Sequence, residues 1–161
     1  PNCEDCPLNL SCSALKHNTI ELLPINSKKV KQRKRFFNYL CIRDKNGLLL
    51  KKRDQKDIWQ GLYEYPLIET SAEITSPDTL KKQEPWKKLF GKSKVKITDS
   101  SFTRKHILSH QTIMARFIEI SVPSCSKIKG VDHLNCSFDN LPSYPVHRLM
   151  EHHLKHTNQA S

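Results

Sequence analysis

The sequence predicts an α+β sandwich, built mostly of strands with one interior helix and one terminal helix. Three observations carry this. Phe36, Phe37, Tyr39, Leu40, Cys41 and Ile42 make a run that is apolar on both faces; Asp44, Lys45, Asn46 and Gly47 then supply a turn into Leu48, Leu49 and Leu50, which is a hairpin pattern. Residues 113–122 read as a long strand of mixed alternation. Val146, Leu149, Met150 and Leu154 form one stripe of a helix, with Ser143 as its expected N-cap and Pro145 in its first turn.

The remaining elements follow in order. Residues 1–19 are a thiol-bearing appendage, and 20–33 a linker in which Pro24 and Asn26 break any helical period. The domain proper runs over 34–161. After a polar stretch, Leu62, Tyr63, Tyr65 and Leu67 suggest a short strand ended by Pro66, so that Trp59, Tyr63 and Tyr65 are expected to alternate into the core. Leu80, Trp86, Leu89 and Phe90 lie at near-helical spacing, interrupted by Pro85 and stopped by Gly91. Val95 and Ile97 predict a small strand, 102–108 another, and 123–142 an irregular, turn-rich segment.

Composition bounds the function. With 37% hydrophobic residues the chain can build a core, and no apolar run approaches the roughly 18 residues that span a bilayer. The N-terminal residues carry no basic-then-apolar signal pattern. Twenty-seven Lys plus Arg against 16 Asp plus Glu give a formal charge of +11, and six of the eight positions 28–35 are basic. Lys28, Lys31, Arg33 and Arg35 are thus candidates for phosphate contact, against the plainer alternative of a solvated linker. Catalytic patterns are missing: with four glycines in the chain there is no Gly-rich phosphate-cradling loop, there is no H-E-x-x-H or G-x-S-x-G, and the carboxylates are scattered.

Cys3, Cys6 and Cys12 form C-x2-C-x5-C, one ligand short of a closed site. The fourth is either His17, which would give a zinc site, or a residue ahead of Pro1, which would give an iron–sulfur site. Cys41 reads as a small buried side chain. His147, His152, His153 and His156 read as a solvated face of the last helix.

Together these residues resemble the C-terminal part of the MutY family of adenine DNA glycosylases. The resemblance rests on the cysteine spacing, on Glu21-Leu22-Leu23-Pro24, and on Phe36-Phe37-Asn38-Tyr39-Leu40. It continues through Leu49-Leu50-Lys51-Lys52-Arg53, Ile58-Trp59-Gln60-Gly61-Leu62-Tyr63-Glu64-Tyr65-Pro66, His106-x-Leu108-Ser109-His110 and Tyr144-x-Val146-x-Arg148-Leu149.

The resemblance implies a Nudix-like sandwich, a mixed or antiparallel sheet with flanking helices, preceded by an incomplete iron–sulfur tail. It implies recognition rather than hydrolysis, and the stretch Asp78-Thr79-Leu80-Lys81-Lys82-Gln83-Glu84-Pro85 indeed lacks the carboxylates of an R-E-x-x-E-E helix. The parent would remove adenine opposite 8-oxoguanine in base excision repair, with no catalytic residue in this chain. Cys3, Cys6 and Cys12 would be three ligands of a 4Fe–4S cluster whose first ligand lies ahead of Pro1, so the chain alone holds no complete cofactor. Ser109, with His110 and Leu108, would read the lesion; Leu108 stands where the family has Phe. The implied partners are duplex DNA containing the 8-oxoguanine:adenine mispair and the N-terminal catalytic domain of the same protein, in the bacterial cytoplasm at the nucleoid and away from any membrane. The competing classes are a Nudix pyrophosphatase and a zinc-bearing nucleic-acid-binding module.

Overall fold

The expected hairpin stands at the centre of a seven-stranded mixed sheet in the computed structural model, which describes residues 1–25, 32–91, 95–128 and 132–159. The chain divides into two units, Pro1–Lys31 and Gln32–Ser161. The first holds short turns and one helical turn, α1 (Ser13–Lys16). The second contains β1 (Arg33–Arg43), β2 (Gly47–Lys52), β3 (Tyr63–Glu64), β4 (Leu67–Thr70), α2 (Pro77–Lys81), α3 (Glu84–Phe90), β5 (Lys96–Ile107), β6 (Gln111–Ser121), β7 (His133–Ser137) and α4 (Arg148–Gln159).

The strand order is β3-β2-β1-β6-β5, with β4 also paired to β1 and β7 to β2. Strand β1 lies parallel to β6 from Arg33↔Gln111 to Arg43↔Ser121, and the other pairings between strands are antiparallel. A central parallel pair must be covered on both sides, which explains the doubly apolar run of β1. Leu40 and Ile42 face a core completed by Leu80, Trp86, Leu89 and Phe90 of α2 and α3. Phe37, Tyr39 and Cys41 face a second core closed by Leu149 and Met150 of α4. Among the described residues no helix is long and apolar enough to cross a membrane.

Several expectations change. The strand expected over 62–67 splits into β3 and β4, which pair with different neighbours, β2 and β1. The interior helix is two helices, with Pro85 in the first turn of α3 and Gly91 (φ 56°) closing it. The two small strands expected between 95 and 108 are one, β5, with a register shift between Thr98 and Phe102. The segment expected to be irregular contributes β7, which adds to the edge of β2.

The last helix starts later than its proline suggests. Tyr63 donates its amide to the Pro145 carbonyl at 2.8 Å, and Val146 bridges to Tyr63, so this segment is extended. The cap is a histidine: Nδ1 of His147 accepts the Met150 amide at 3.2 Å. His147 and His153 are buried, which corrects the expectation of a solvated histidine face; both rings point at the sheet.

Candidate functional site

Strands β5 and β6 end in a tight turn. The Leu108 amide donates to the Gln111 carbonyl at 2.8 Å, leaving Ser109 and His110 as the tip. Both are exposed, whereas Leu108 is half-buried against the α4-side core. The entry to β1 latches the turn. The Arg33 amide donates to the His110 carbonyl at 3.1 Å, and Gln32 Oε1 accepts from the Thr112 hydroxyl at 2.9 Å. An exposed arginine, Arg33, therefore begins its strand beside an exposed hydroxyl on a hairpin held at its base.

The other basic candidates separate. Lys28 and Lys31 lie outside the described residues. Arg35 is not a phosphate contact: it is 7% exposed and held by two carboxylates. Its Nε and Nη2 donate to Glu69 at 2.7 and 2.6 Å, while Nη1 and Nη2 donate to Asp57 at 3.0 and 2.8 Å. The Glu69 hydrogen bonds push the Arg35 pKa still higher, so this cation is permanent. Nη1 also reaches Gln111 Oε1 at 3.2 Å, which ties the base of the Ser109 hairpin to the network.

A second arginine completes that network. Arg53 donates from Nη1 to both oxygens of Glu64 at 2.7 and 2.9 Å, from Nη2 to Asp57 at 3.1 Å, and from Nε to the Ile58 carbonyl at 3.0 Å. Asp57 thus sits between two guanidinium groups, and the Arg35 hydrogen bond chiefly holds its carboxyl below the usual range. Glu64 also accepts from the Tyr39 hydroxyl at 3.0 Å; burial, then Glu64, pushes that phenol well above its ordinary value. A cleft of about 360 Å³ opens over these groups, with Lys51 and Lys52 on its wall.

Trp59 is not in a strand, contrary to expectation. It adopts φ 60°, a conformation that costs a non-glycine residue on the order of 1 kcal/mol, followed by Gly61 at φ 83°. Its indole stacks on His147 at 4.0 Å between centroids and 13° between planes, and lies 5.7 Å from His106 at the root of the hairpin. Burial, then His147, lowers the His106 pKa.

Cys3, Cys6 and Cys12 are free, partly exposed thiols. A 4Fe–4S cube takes four thiolates, and among the described residues Cys3, Cys6 and Cys12 do not come within ligand distance as a set. Among the described residues, the group that does gather is Cys41, Glu119 and His153.

A model of the NUDIX domain matches residues 38–156. The chain belongs to the Nudix family. The helical stretch that follows Gly61 carries only Asp78 and Glu84 as acids, and each is tied to a lysine, Lys81 at 3.2 Å and Lys87 at 2.7 Å.

A curated relative, the adenine DNA glycosylase of Buchnera aphidicola subsp. Baizongia pistaciae, is 30% identical over 131 residues, which cover 78% of this chain. The chain spans 33% of that protein's length. Among solved structures, the C-terminal domain of mouse MUTYH in complex with human PCNA superposes with a TM-score of 0.63 at 11% identity, covering 80% of this chain and 90% of that one. The MutT protein of Methanosarcina mazei Go1 gives 0.61 at 11% identity, covering 81% and 97%. Members of the fold thus include both the C-terminal domain of MUTYH and a MutT protein, and the resemblance to an adenine DNA glycosylase is one of sequence.

Proposed function

We propose that this chain is the lesion-reading part of an adenine DNA glycosylase, which inspects 8-oxoguanine opposite adenine while the bond is cut elsewhere in the protein. The observation that carries it is the placement of Ser109: an exposed hydroxyl at a two-residue hairpin tip, latched to β1 beside Arg33. Oxidation converts N7 of guanine from an acceptor to an N–H donor and adds a carbonyl oxygen at C8. A hydroxyl can accept from the first and donate to the second, and a rigid hairpin presents it at low entropic cost.

Leu108 serves as the anchor of the tip through its packing, rather than as a wedge, and His110 offers a second polar group beside Ser109. Arg33, with Lys28 and Lys31, supplies sequence-blind phosphate contact. Adenine is flipped into a pocket of another domain, so no residue here is catalytic. In this reading Cys3, Cys6 and Cys12 become cluster ligands only when a fourth thiolate ahead of Pro1 completes the set. The protein works on cytoplasmic, nucleoid DNA.

The test is Ser109→Ala in the protein that carries this chain, with single-turnover rates on 8-oxoguanine:adenine and guanine:adenine duplexes. Loss of one neutral hydrogen bond should cut the preference for the oxidised mispair roughly 3- to 10-fold. A rate ratio equal to that of the parent rejects the role given to Ser109.

A further inference from the structure

The mixed sheet puts a cysteine and a glutamate side by side under the last helix. Cys41 in β1 and Glu119 in β6 are register partners of the parallel pair, so their side chains leave the same face of the sheet. His153 of α4 comes down on them. One potential ligand atom from each residue lies within 4.8 Å of the others, and all three residues are buried. Cys41 Sγ to His153 Nε2 is 3.9 Å, and His153 Nε2 to Glu119 Oε1 is 3.1 Å. The edges of a tetrahedron built on ordinary Zn–S, Zn–N and Zn–O lengths are about 3.6 and 3.4 Å.

The surroundings are those of a ligand set. Nδ1 of His153 faces the Tyr65 hydroxyl at 3.3 Å, which leaves Nε2 directed at the cysteine and glutamate. Phe117 stacks on the ring at 4.3 Å and 9° and fixes its plane. The Glu119 oxygens lie within ion-pair distance of His153 and of Arg43, at 3.1 and 3.3 Å, yet neither oxygen accepts a hydrogen bond of proper geometry. A buried carboxylate in that state is costly, and a cation would relieve it. A cavity of about 80 Å³ touches all three residues and can hold a water in the fourth position.

We propose that Cys41, Glu119 and His153 form a site for a zinc-class divalent cation, with three protein ligands and one position open to the adjoining cavity. Thiolate, imidazole and carboxylate together select zinc or cobalt over magnesium or calcium. Two anionic ligands neutralise the ion, and Arg43 keeps the second Glu119 oxygen. The cation pins α4 to the two central strands.

The test uses the full chain with Cys3, Cys6 and Cys12 changed to Ser, so that the N-terminal thiols cannot answer for the core. Titration with Co²⁺ should give one ion per chain, a thiolate-to-cobalt charge-transfer band and the visible bands of four-coordination. Zn²⁺ at about a hundred times its dissociation constant should raise the melting temperature by roughly 5–10 °C. Glu119→Gln should weaken cobalt binding at least ten-fold, and Cys41→Ala should abolish the charge-transfer band. Absence of a sulfur band and of a melting shift in the triple variant overturns the proposal, and that result does not depend on the core variants folding. Persistence of the band in Cys41→Ala places the ion on another thiol and overturns it equally.

Discussion

Replacing Arg53 by Met should be among the most damaging single changes in the domain. Arg53 is 8% exposed, and it is the cation that pairs with Glu64, whose side chain is 5% exposed. Without it Glu64 keeps the Tyr39 hydroxyl at 3.0 Å and a histidine nitrogen at 3.6 Å, too little for a buried carboxylate. Stranding a buried charge in this way costs about 3–5 kcal/mol, against 0–1 kcal/mol for a pair on the surface. For a protein of 161 residues that corresponds to a drop in melting temperature on the order of 10 °C. Arg53 also donates to Asp57 and to the Ile58 carbonyl, so the turn carrying Trp59 should loosen with it. The assay is urea unfolding followed by circular dichroism, for Arg53→Met, Glu64→Leu and the double variant. Removing both charges should restore all but about 1–2 kcal/mol of the loss, giving a coupling of at least about 2 kcal/mol in the cycle. A single-variant loss below about 1 kcal/mol, or additive effects, would refute the assignment of Glu64 as a buried charge that depends on Arg53.

Other outcomes follow from single contacts. Gly47→Ala would set a Cβ 2.0 Å from the Cys136 carbonyl oxygen, so the β2–β7 pairing must shift; a loss of about 2–3 kcal/mol in urea melts is expected, and a neutral result contradicts the close approach. Arg33→Gln should lower affinity for every duplex and reduce the slope of log K against log salt by up to about one, whereas Arg35→Gln should lower stability instead; anisotropy titrations and melts separate the two. Acid should destabilise the domain in two stages. Asp57, held down by Arg35, and Asp44, held down chiefly by the Cys125 amide, have depressed folded pKa values; their stabilisation is complete above about pH 4 and is lost as pH falls through those lower values. His106 is depressed as well, by burial first, so the unfolded chain takes up its proton earlier and a further loss begins below about pH 6.5. Asp44→Asn should flatten the lower limb of the stability–pH curve and His106→Gln the upper one; unaltered limbs would show that these groups do not set it.

Strand β1 was legible because burial on both of its sides demands a near-continuous apolar run, and Phe36 to Ile42 supply one. The hairpin tip was legible too, since Ser109-His110 sits between two strand-like runs, although its latch to Gln32 and Arg33 depends on a parallel pairing between segments 78 positions apart (Arg33↔Gln111). Strand β7 was not legible: five residues with two polar and one histidine side chain take their strand form from the free edge of β2, not from their own propensity. The start of α4 was misplaced because Ser143 and Pro145 mimic a cap, while Tyr63 claims the Pro145 carbonyl and His147 caps instead.

The division between sequence and tertiary structure is sharpest among the charged and thiol side chains. Local pattern alone determined that β1 is a strand covered on both faces, that a turn at residues 44–47 leads it into β2, and that Ser109 lies between strands. Whether a basic or acidic residue meets water or a partner was decided only by the fold. Arg33 and Arg35 are two positions apart in one basic run, yet one is exposed and the other is clamped by Asp57 and Glu69. Cys41, Glu119 and His153 are spread over more than a hundred positions, and the one trace they leave in sequence is a glutamate inside the apolar run Phe117-Ile118-Glu119-Ile120. The physical reason is that period and propensity act between near neighbours, whereas desolvation, ion pairing and ligand geometry act between atoms that only the register of β1 on β6 and the docking of α4 bring within a few ångströms.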